Sequence, residues 1–238
     1  KFKKMSIYTI EGNIGSGKST LLDMLQENNK IISIQEPVGV WREIKDKNGN
    51  DMIEKFYNNQ EKYAFSFQMM AFISRIHLLR KKLNETPNGI FISERSVYTD
   101  RYVFAKMLYD DEKIESVNYE IYLKWFDEFV KDLPIKGIIY LKTTPQTCFE
   151  RIKKRNRKGE ENLSIEYINR CHGYHQEWIN TIKNTSKVLI LDGNKETFNE
   201  HLTQIKFFTC NHEWQDISSF DVQNHYREYQ CKKCDLIR

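Results

Sequence analysis

The sequence has little proline, no long apolar run and no repeats, and each of these absences excludes a class of protein. Only four of its 238 residues are proline, which argues against a proline-rich disordered chain. No apolar run approaches the roughly 18 residues of a membrane-spanning helix, and no internal repeat or low-complexity tract is present. The basic start KFKKMSIYTI lacks a long apolar region and a small-residue cleavage site, so we do not expect a signal peptide. A globular protein without a membrane partner is expected.

The sequence also has no large excess of charge of one sign, and it has few cysteines placed to form disulfides. The formal net charge of +4 is too mild to imply nucleic acid, although RIKKRNRK (151–158) is strongly basic. Of five cysteines, Cys148 and Cys171 stand alone in helical patterns and the other three lie near the carboxyl end. A secreted, disulfide-linked domain would spread its cysteines differently. We therefore expect a reducing, cytoplasmic location.

Five short apolar runs predict β-strands. They are rich in Ile, Val or Tyr and largely non-alternating, which is typical of strands buried on both faces of a parallel sheet. The runs cover residues 6–10, 31–34, 90–92, 138–141 and 188–191. Helical patterns alternate with them, at 17–26, 51–84, 97–132, 145–155, 164–184 and 197–208. This alternation predicts an α/β domain over residues 1–208 with helices flanking a five-stranded parallel sheet, followed by a small unit over 209–238.

The stretch EGNIGSGKST (11–20) contains the Walker A pattern, with a predicted strand before it and a predicted helix after it. Glycines let backbone N–H groups converge on phosphate oxygens, and the helix N-terminus adds its positive dipole end. The alternative is a glycine-rich turn that binds nothing. Lys18 is predicted to reach the terminal phosphates and Ser19 to bind Mg²⁺. The predicted phosphate-binding residues are Gly12, Asn13, Ile14, Gly15, Ser16, Gly17, Lys18, Ser19 and Thr20.

Carboxylates follow two of the other predicted strands. Strand two is followed by Gln35-Glu36-Pro37, and strand three leads into Glu94 and Arg95. The carboxyl ends of parallel strands face the ligand crevice, so these side chains are expected near the phosphate site. A carboxylate there can accept a proton from an attacking hydroxyl or help to hold a metal. A surface salt bridge between Arg95 and one carboxylate is the alternative.

Four motifs in this order resemble the deoxyribonucleoside kinase family, particularly its deoxycytidine and deoxyguanosine kinase branch. They are EGNIGSGKST, Glu36-Pro37-Val38 with Trp41, FSFQMMAFISR (65–75) and ERSVYTDRYVFA (94–105). The resemblance covers about residues 7–206. It implies a P-loop kinase fold and the phosphorylation of a deoxyribonucleoside 5′-hydroxyl by ATP, or another triphosphate, with Mg²⁺. It also implies a homodimer, for which the aromatic-rich helix around 119–129 is one candidate surface.

The resemblance further implies individual roles. Glu36 is expected to be the general base, Arg95 to steady Glu36 and the transferring phosphoryl group, and Glu94 to help hold Mg²⁺. Contacts to the nucleoside are expected from Trp41 and Phe104 as flat walls, Gln68 at the base edge, and Tyr57 and Glu160 at the 3′-hydroxyl. Helix or core packing is the alternative for the aromatic residues and Gln68.

The implied base-selecting positions are Ala71, Arg75 and Asp100. A buried Arg–Asp pair offers fixed charge-assisted donors and acceptors, which suits cytosine or a purine better than thymine. The sequence does not choose among cytosine, adenine and guanine. A purely structural ion pair is the alternative.

The basic run 151–158 lies where the family has its arginine-rich lid, and Arg151, Arg155 and Arg157 match the lid positions. Such a segment closes over the donor and stabilises phosphate charge; a solvated helix end is the alternative. Lys158 and Gly159 depart from the acidic or polar residues expected at these two positions.

The carboxyl-terminal segment carries Cys210-x-His212 and Cys231-x-x-Cys234. Four such ligands suit structural Zn²⁺, and a segment of about 30 residues has little apolar core of its own. The spacing predicts a Cys₃His zinc module, with His201 or His225 as a substitute for His212. A redox pair at Cys231 and Cys234 or a disordered tail is the alternative. Contact with nucleic acid or protein through this segment stays open.

Two other functions compete with a nucleoside kinase. A nucleoside-monophosphate kinase of the thymidylate kinase type shares the P-loop, lid and fold, although Glu94-Arg95-Ser96 together with Glu36-Pro37-Val38 favours a nucleoside acceptor. A zinc-dependent nucleic-acid-binding or interaction protein is the second alternative, and it rests on the zinc-like segment and the net positive charge.

Overall fold

A computed structural model describes residues 5–26, 31–86, 89–133, 135–195, 197–210, 213–216 and 229–233. The chain forms two compact units, residues 1–196 and residues 197–238. The domain division predicted near residue 208 stays a prediction. Within the described ranges, no helix combines the length and apolar character needed to cross a bilayer.

The first unit is built on a five-stranded parallel sheet, as the apolar runs predicted, and its strand order is β2-β3-β1-β4-β5. The central strand β1 is buried almost throughout, whereas the edge strand β5 is partly exposed. This parallel arrangement brings the carboxyl ends of all five strands to one edge. The strands are β1 (Ser6–Glu11), β2 (Ile31–Ile34), β3 (Ile90–Glu94), β4 (Ile135–Lys142) and β5 (Val188–Asp192).

Helices cover the sheet and connect its strands. The bounds are α1 (Lys18–Gln26), α2 (Val38–Glu43), α3 (Met52–Asn58), α4 (Gln60–Glu85), α5 (Val97–Thr99), a π-helical turn (Asp100–Ala105), α6 (Lys106–Asp110), α7 (Ser116–Val130), α8 (Pro145–Arg155) and α9 (Ile165–Ile182).

Two predicted long helices are interrupted. The stretch predicted over 51–84 is helical but divides into α3 and α4, because Asn59 leaves helical geometry (φ −152°, ψ 84°). Its N–H donates to Lys55 O and ends α3, while its side chain accepts from Lys62 N and begins α4. The stretch predicted over 97–132 is also mostly helical, but it includes the π-helical turn. It is interrupted between α6 and α7, where Glu112 has a φ of +56°.

The main core lies between the sheet and helices α4 and α7. Phe72 of α4 and Tyr122 and Phe126 of α7 are buried against Ile7 and Phe91 of the sheet. Phe72 stacks on Phe126 with ring centroids 5.7 Å apart. Each such aromatic side chain contributes about 1.5–3 kcal/mol of burial free energy. The strand ends that form the site therefore stand on a well-packed support.

The second unit contains a helix and a short hairpin. Helix α10 (Phe198–Thr209) is close to its predicted bounds. Strand β6 (Trp214–Asp216) pairs antiparallel with β7 (Tyr229–Cys231), and Trp214 lies opposite Cys231. This pairing brings Cys231 beside the segment that follows α10.

Candidate active site

The loop between β1 and α1 is wrapped too tightly for side chains at its glycines. Gly12 and Gly15 have φ values of +151° and +77°, which L-residues with side chains adopt rarely. A Cβ at Gly15 would lie 2.4 Å from Cys148 O, and one at Gly12 would lie 2.8 Å from Leu141 O. The loop therefore depends on glycine for both its conformation and its close contacts.

Lys18 lies folded into this loop. Its Nζ donates to Asn13 O at 2.8 Å and lies 3.5 Å from Ser16 Oγ. The side chain is 4% exposed. Burial, followed by the positive charge of Arg95, lowers the pKa of Lys18 to about 8. A phosphate group entering the loop would supply the negative charge that this ammonium lacks.

A pair of oxygen ligands stands beside Lys18. Ser19 Oγ, at the start of α1, donates to Glu94 Oε1 at 2.9 Å. Glu94 is the last residue of β3, so two different elements bring these oxygens together. Hydroxyl and carboxylate oxygens are ligands that Mg²⁺ accepts, usually with water and phosphate oxygens completing the shell. The donor set fits that cation.

Two arginines form ion pairs with Glu36. Its Oε1 accepts from Arg75 Nη2 at 2.8 Å and Arg95 Nη1 at 3.0 Å, and its Oε2 accepts from Arg95 Nη1 at 2.9 Å. Burial alone raises the pKa of Glu36, but Arg95 and then Arg75 outweigh it and lower the pKa to about 2. The carboxylate is therefore ionised, oriented and screened from bulk water.

Arg95 is held in an uncommon backbone conformation. Its φ is +59°, which places a residue with a side chain in the left-handed region. The Arg95 N–H donates to Ile10 O at 2.9 Å, and its carbonyl accepts from Ser93 Oγ at 2.9 Å. The guanidinium lies over the Phe104 ring at 5.2 Å from the centroid. Strand β1 thus fixes the place from which Arg95 reaches Glu36.

Arg75 connects three parts of the site. Its Nε donates to Asp100 Oδ2 at 2.9 Å and its Nη1 to Glu94 O at 2.9 Å, in addition to its bond with Glu36. Asp100 opens the π-helical turn and is 2% exposed. Arg75 therefore bonds both to Asp100, its partner in the predicted base-selecting pair, and to Glu36. The sequence did not reveal this connection.

Gln68 is a buried polar group with a hydrogen-bonding atom left for a ligand. Its side chain is 2% exposed, and its Oε1 has no hydrogen-bond partner among the described residues. It lies one helical turn from Ala71 and two from Arg75 on α4, and all three line the same cavity. A buried amide oxygen without a partner costs free energy unless a ligand supplies a donor.

Aromatic side chains form the walls beside Gln68. Trp41 is 5% exposed, and its Nε1 donates to Ser74 Oγ at 2.8 Å. Its ring meets Phe67 edge to face at 5.6 Å, and Phe104 lies under Arg95. All three rings line the same cavity, and aromatic faces suit contact with a planar heterocycle.

The predicted lid forms contacts with both the loop and the acceptor side. Arg151 Nη1 donates to Ser16 O at 3.1 Å and Gly193 O at 2.9 Å. Arg155 Nη2 lies 2.6 Å from Glu160 Oε2, and Arg157 Nη1 lies 3.6 Å from Glu160 Oε1. Glu160 also lies near Tyr57 of α3. Burial, and then the negative charge of Glu160, raises the pKa of the Tyr57 hydroxyl.

One cavity of about 630 Å³ contains most of these groups. Its volume is in the range of small-molecule and cofactor sites. Its lining includes every residue predicted to contact the nucleoside: Glu36, Trp41, Tyr57, Gln68, Ala71, Arg75, Arg95, Asp100, Phe104 and Glu160. From the predicted donor set it includes Ile14, Gly15, Gly17, Lys18, Ser19, Thr20, Arg151, Arg155 and Arg157. Gly12, Asn13 and Ser16 lie in the body of the loop and do not line it.

Several lining residues escaped the sequence prediction. Asp23, Ile53, Phe56, Phe67 and Tyr167 also face the cavity. Most are ordinary helix residues, and only their three-dimensional neighbours mark them. Asp51-x-x-Glu54 before an apolar helix was a readable signal, because it is a helix capping box, and it fixes where Ile53 and Phe56 lie.

In the second unit, Cys210 and Cys231 bring their sulfur atoms to 3.7 Å. A disulfide needs about 2.05 Å, whereas two thiolates on one tetrahedral Zn²⁺ at about 2.3 Å lie about 3.8 Å apart. His212 and Cys234 lie outside the described residues. Within the described residues, no three His, Cys, Asp or Glu side chains are grouped to hold a metal. His201 Nε2 lies 3.3 Å from Thr197 Oγ1.

Comparisons with known proteins agree with this geometry. A sequence model of the deoxynucleoside kinase family matches residues 8–212. Deoxycytidine kinase 2 of Gallus gallus is 33% identical over 231 residues, covering 85% of this chain and 87% of its own. A probable deoxycytidine kinase of Fowlpox virus (strain NVSL) is 39% identical over 180 residues, 74% of this chain and 72% of its own. Mitochondrial thymidine kinase 2 of Homo sapiens is 30% identical over 179 residues, 74% of this chain and 65% of its own.

Proposed function

The chain belongs to the deoxynucleoside kinase family, and on that premise we propose that its cavity transfers the γ-phosphoryl group of ATP, or of another triphosphate, to the 5′-hydroxyl of a deoxyribonucleoside. The chain is a deoxyribonucleoside kinase. The relatives that match it over most of its length are named nucleoside kinases, which favours this acceptor over a nucleoside monophosphate.

One observation carries the proposal. The same cavity has a phosphate-binding end at the loop around Lys18 and an aromatic, amide-bearing end at Trp41 and Gln68. Glu36 and Arg95 stand where the two ends meet. A donor and an acceptor bound at the two ends would bring a hydroxyl to the terminal phosphate beside Glu36, and such positioning is the largest part of phosphoryl-transfer catalysis.

Glu36 acts first by orienting the 5′-hydroxyl. A carboxylate with a pKa near 2 is a weak base, but phosphoryl transfer needs the proton only late, as the new bond forms. We propose that Arg95 then moves its hydrogen bonds from Glu36 toward the charged phosphoryl oxygens. Losing that guanidinium and facing negative phosphate raises the pKa of Glu36, so that it takes the proton from the hydroxyl.

Ser19 and Glu94 would hold Mg²⁺ on the donor side. A bound Mg²⁺ supplies charge neutralisation to the phosphate oxygens. Lys18 provides a further positive charge, and Arg151, Arg155 and Arg157 provide the lid contacts. Tyr57 of α3 and Glu160, which both line the cavity, would bind the 3′-hydroxyl of the sugar.

The base end favours cytosine, adenine or guanine over thymine. Gln68 offers an amide with an unused oxygen, and the Arg75–Asp100 pair presents fixed charged groups near it. An exocyclic amine donates to such oxygens, whereas the methyl group of thymine gains nothing from a charged neighbour. Ala71 leaves the space that the base occupies.

We also propose a homodimer. Val117, Ile121 and Trp125 recur every four residues on α7 and are 59%, 40% and 45% exposed. An apolar stripe of this kind on a helix marks a protein contact, and a two-fold dimer would bury it against its own copy.

For the second unit we propose structural Zn²⁺. The 3.7 Å separation of the Cys210 and Cys231 sulfur atoms suits two ligands of one tetrahedral ion. His212 and Cys234 would complete the set by their sequence spacing. Elemental analysis of the purified full chain should give one zinc per chain, and replacing both Cys210 and Cys231 by Ser should remove it.

A panel of acceptors tests the proposed reaction. Deoxycytidine, deoxyadenosine, deoxyguanosine and thymidine, and the four matching monophosphates, are offered with ATP in a coupled assay. We expect turnover of nucleosides, with thymidine the poorest. Turnover of monophosphates alone would contradict the proposal, and so would binding of DNA or RNA without turnover of any acceptor.

A further inference from the structure

Helix α3 is tied to the lid loop, which we define as residues 156–164 between α8 and α9, by residues that the proposed reaction does not use. Arg42, in the last turn of α2, pairs through Nη1 with Asp51 Oδ2 at 2.9 Å and donates from Nη2 to Lys158 O at 2.6 Å. Lys158 Nζ lies 2.9 Å from Glu54 Oε1. We call Arg42, Asp51, Glu54 and Lys158 the lid latch.

The α3 side of the latch is fixed by a helix cap. Asp51 Oδ1 accepts from Glu54 N at 3.0 Å, and Asp51 N donates to Glu54 Oε2 at 3.0 Å. Each carboxylate therefore commits one oxygen to the capping box and turns the other toward the latch, to Arg42 or to Lys158. The lid thus meets a preorganised surface, and little side-chain freedom is lost when it docks.

The lid loop also fits against the α3 backbone. Gly159 has a φ of +89°, and a Cβ there would lie 3.4 Å from Ile53 Cγ2 and 3.6 Å from Glu54 Cγ. At the other end of α3, Asn162 Nδ2 donates to Asn58 Oδ1 at 3.3 Å. Lys158 and Gly159, the two residues that depart from the family pattern, are the ones that make the contact near Ile53 and Glu54.

We propose that Arg42 and Lys158 are positioning residues that couple donor binding to acceptor binding, an inference that rests on the proposed function. Tyr57 lies on α3, whereas Arg155 and Arg157 lie on the lid. Because the latch joins the two, a nucleoside that orders α3 also places the lid arginines for the triphosphate. Coupling is reciprocal, so the triphosphate tightens nucleoside binding by the same factor.

The two ties differ in strength. The Lys158 side chain is 73% exposed, and an exposed ion pair of this kind is weak and sensitive to salt. The bond from Arg42 to the Lys158 carbonyl is charge-assisted and unaffected by the Lys158 side chain. Arg42 is therefore expected to carry most of the coupling, and Lys158 a smaller, salt-dependent part.

Binding measurements on the full chain test the coupling without turnover. The affinity for the β,γ-imido analogue of ATP is measured with Mg²⁺ by calorimetry, in the absence and presence of saturating deoxycytidine. We expect deoxycytidine to tighten analogue binding in the parent protein. Arg42→Ala should reduce that factor by at least about fivefold, and Lys158→Ala should reduce it less. In steady state, both KM values should rise while kcat stays within about twofold.

Arg80→Ala is the matched control. Arg80 also makes one ion pair, to Asp132 at 2.8 Å, and one carbonyl bond, to Phe129 O at 2.9 Å, but it joins α4 to the end of α7 and the residues just after it. It should leave the coupling factor unchanged. An Arg42→Ala protein that folds and keeps the full coupling factor would overturn the proposal, as would an equal loss in Arg80→Ala.

Hydrogen exchange separates failure of the latch from failure of the proposed function. If the parent protein binds and phosphorylates no nucleoside, the proposed function is wrong. In the ligand-free protein, amides 157–163 should still exchange faster in Arg42→Ala than in the parent or in Arg80→Ala. Equal exchange in all three proteins would show that the latch does not hold the lid.

Discussion

Glu36 shows how one side chain depends on its two neighbours. With Arg95 and Arg75 both in place, the pKa of the Glu36 carboxyl group is lowered to about 2, so its carboxylate is a weak base. The same ion pairs hold it at one point of the cavity. In the proposed reaction the weak base becomes adequate only when Arg95 turns to the phosphoryl group, so positioning and basicity are controlled by the same guanidinium.

Replacing Glu36 by Gln should lower kcat by about 10²–10⁴-fold, because the proton acceptor is lost while the shape is kept. The KM for nucleoside should change little. Glu43→Gln, an exposed carboxylate at the end of α2, serves as control and should retain activity. Initial rates measured with saturating ATP decide the result, and a Glu36→Gln enzyme with near-parent kcat would contradict the assigned role.

Lys18 predicts an alkaline limb in the pH profile. Its pKa is lowered from 10.5 to about 8, so the ammonium that binds phosphate is lost above pH 8. The kcat/KM for the donor should fall about tenfold from pH 8 to pH 9–9.5 and stay flat between pH 5 and 7, where Glu36 is ionised. Because the unfolded chain binds the proton more tightly, this group makes the fold more stable as pH rises from 8 to 10.5.

The Lys18→Arg protein provides the comparison for that profile, since a guanidinium keeps its charge at pH 9. Its remaining activity, whatever its size, should lack the alkaline limb. A parent enzyme whose donor kcat/KM is constant through pH 9.5 would show that Lys18 titrates elsewhere or does not bind the donor.

Changing the Arg75–Asp100 pair should alter both base choice and rate. Arg75→Met with Asp100→Ala removes the charges beside Gln68, so the ratio of kcat/KM for thymidine over deoxycytidine should rise about tenfold or more. Absolute rates should fall, because Arg75 also holds Glu36 and Glu94 O. The ratio and the absolute rates come from the same nucleoside panel, and an unchanged ratio would rule out base selection by this pair.

At the scale of elements, the sequence predicted those strands and loops whose cause lies in a short local pattern of residues. The five strands and the glycine loop followed from apolar runs and from the steric needs of Gly12 and Gly15. The order β2-β3-β1-β4-β5 did not follow, because pairing depends on contacts far apart in sequence. The break at Asn59 and the π-helical turn were missed, since both continue a helical pattern of side chains. The three-way contacts of Arg75 appear only once α4 lies against β3 and the Asp100 turn.

The capping box at the start of α3 should be measurable as stability. Asp51→Ala removes the acceptor for Glu54 N and the ion pair with Arg42, so the free energy of unfolding should drop by about 1–2 kcal/mol. Urea denaturation followed by circular dichroism gives this value. Lys47→Ala, an exposed residue of the turn before α3, should cost less, and an equal loss would show that the cap contributes nothing special.

For the whole molecule, the stripe on α7 determines the expected assembly. Trp125→Glu places a charge in the centre of the proposed two-fold contact, whose desolvation is costly. The parent protein should sediment at twice the mass of one chain, and the variant at the mass of one chain. Trp125→Phe keeps the apolar contact and should remain dimeric. A parent protein that sediments as a monomer at micromolar concentration would rule out this dimer.

The left-handed backbone at Arg95 has a consequence for engineering this enzyme. A non-glycine residue there carries roughly 1–2 kcal/mol of conformational strain, which the bonds to Ile10 and Ser93 maintain. Glycine or asparagine would relax that strain locally, but either would also break the buried ion pair with Glu36, and losing one partner of a buried pair costs about 3–5 kcal/mol. The strain relieved is smaller than the pairing lost. Selection for thermal tolerance alone would therefore keep arginine at residue 95, because stability and turnover depend on the same side chain.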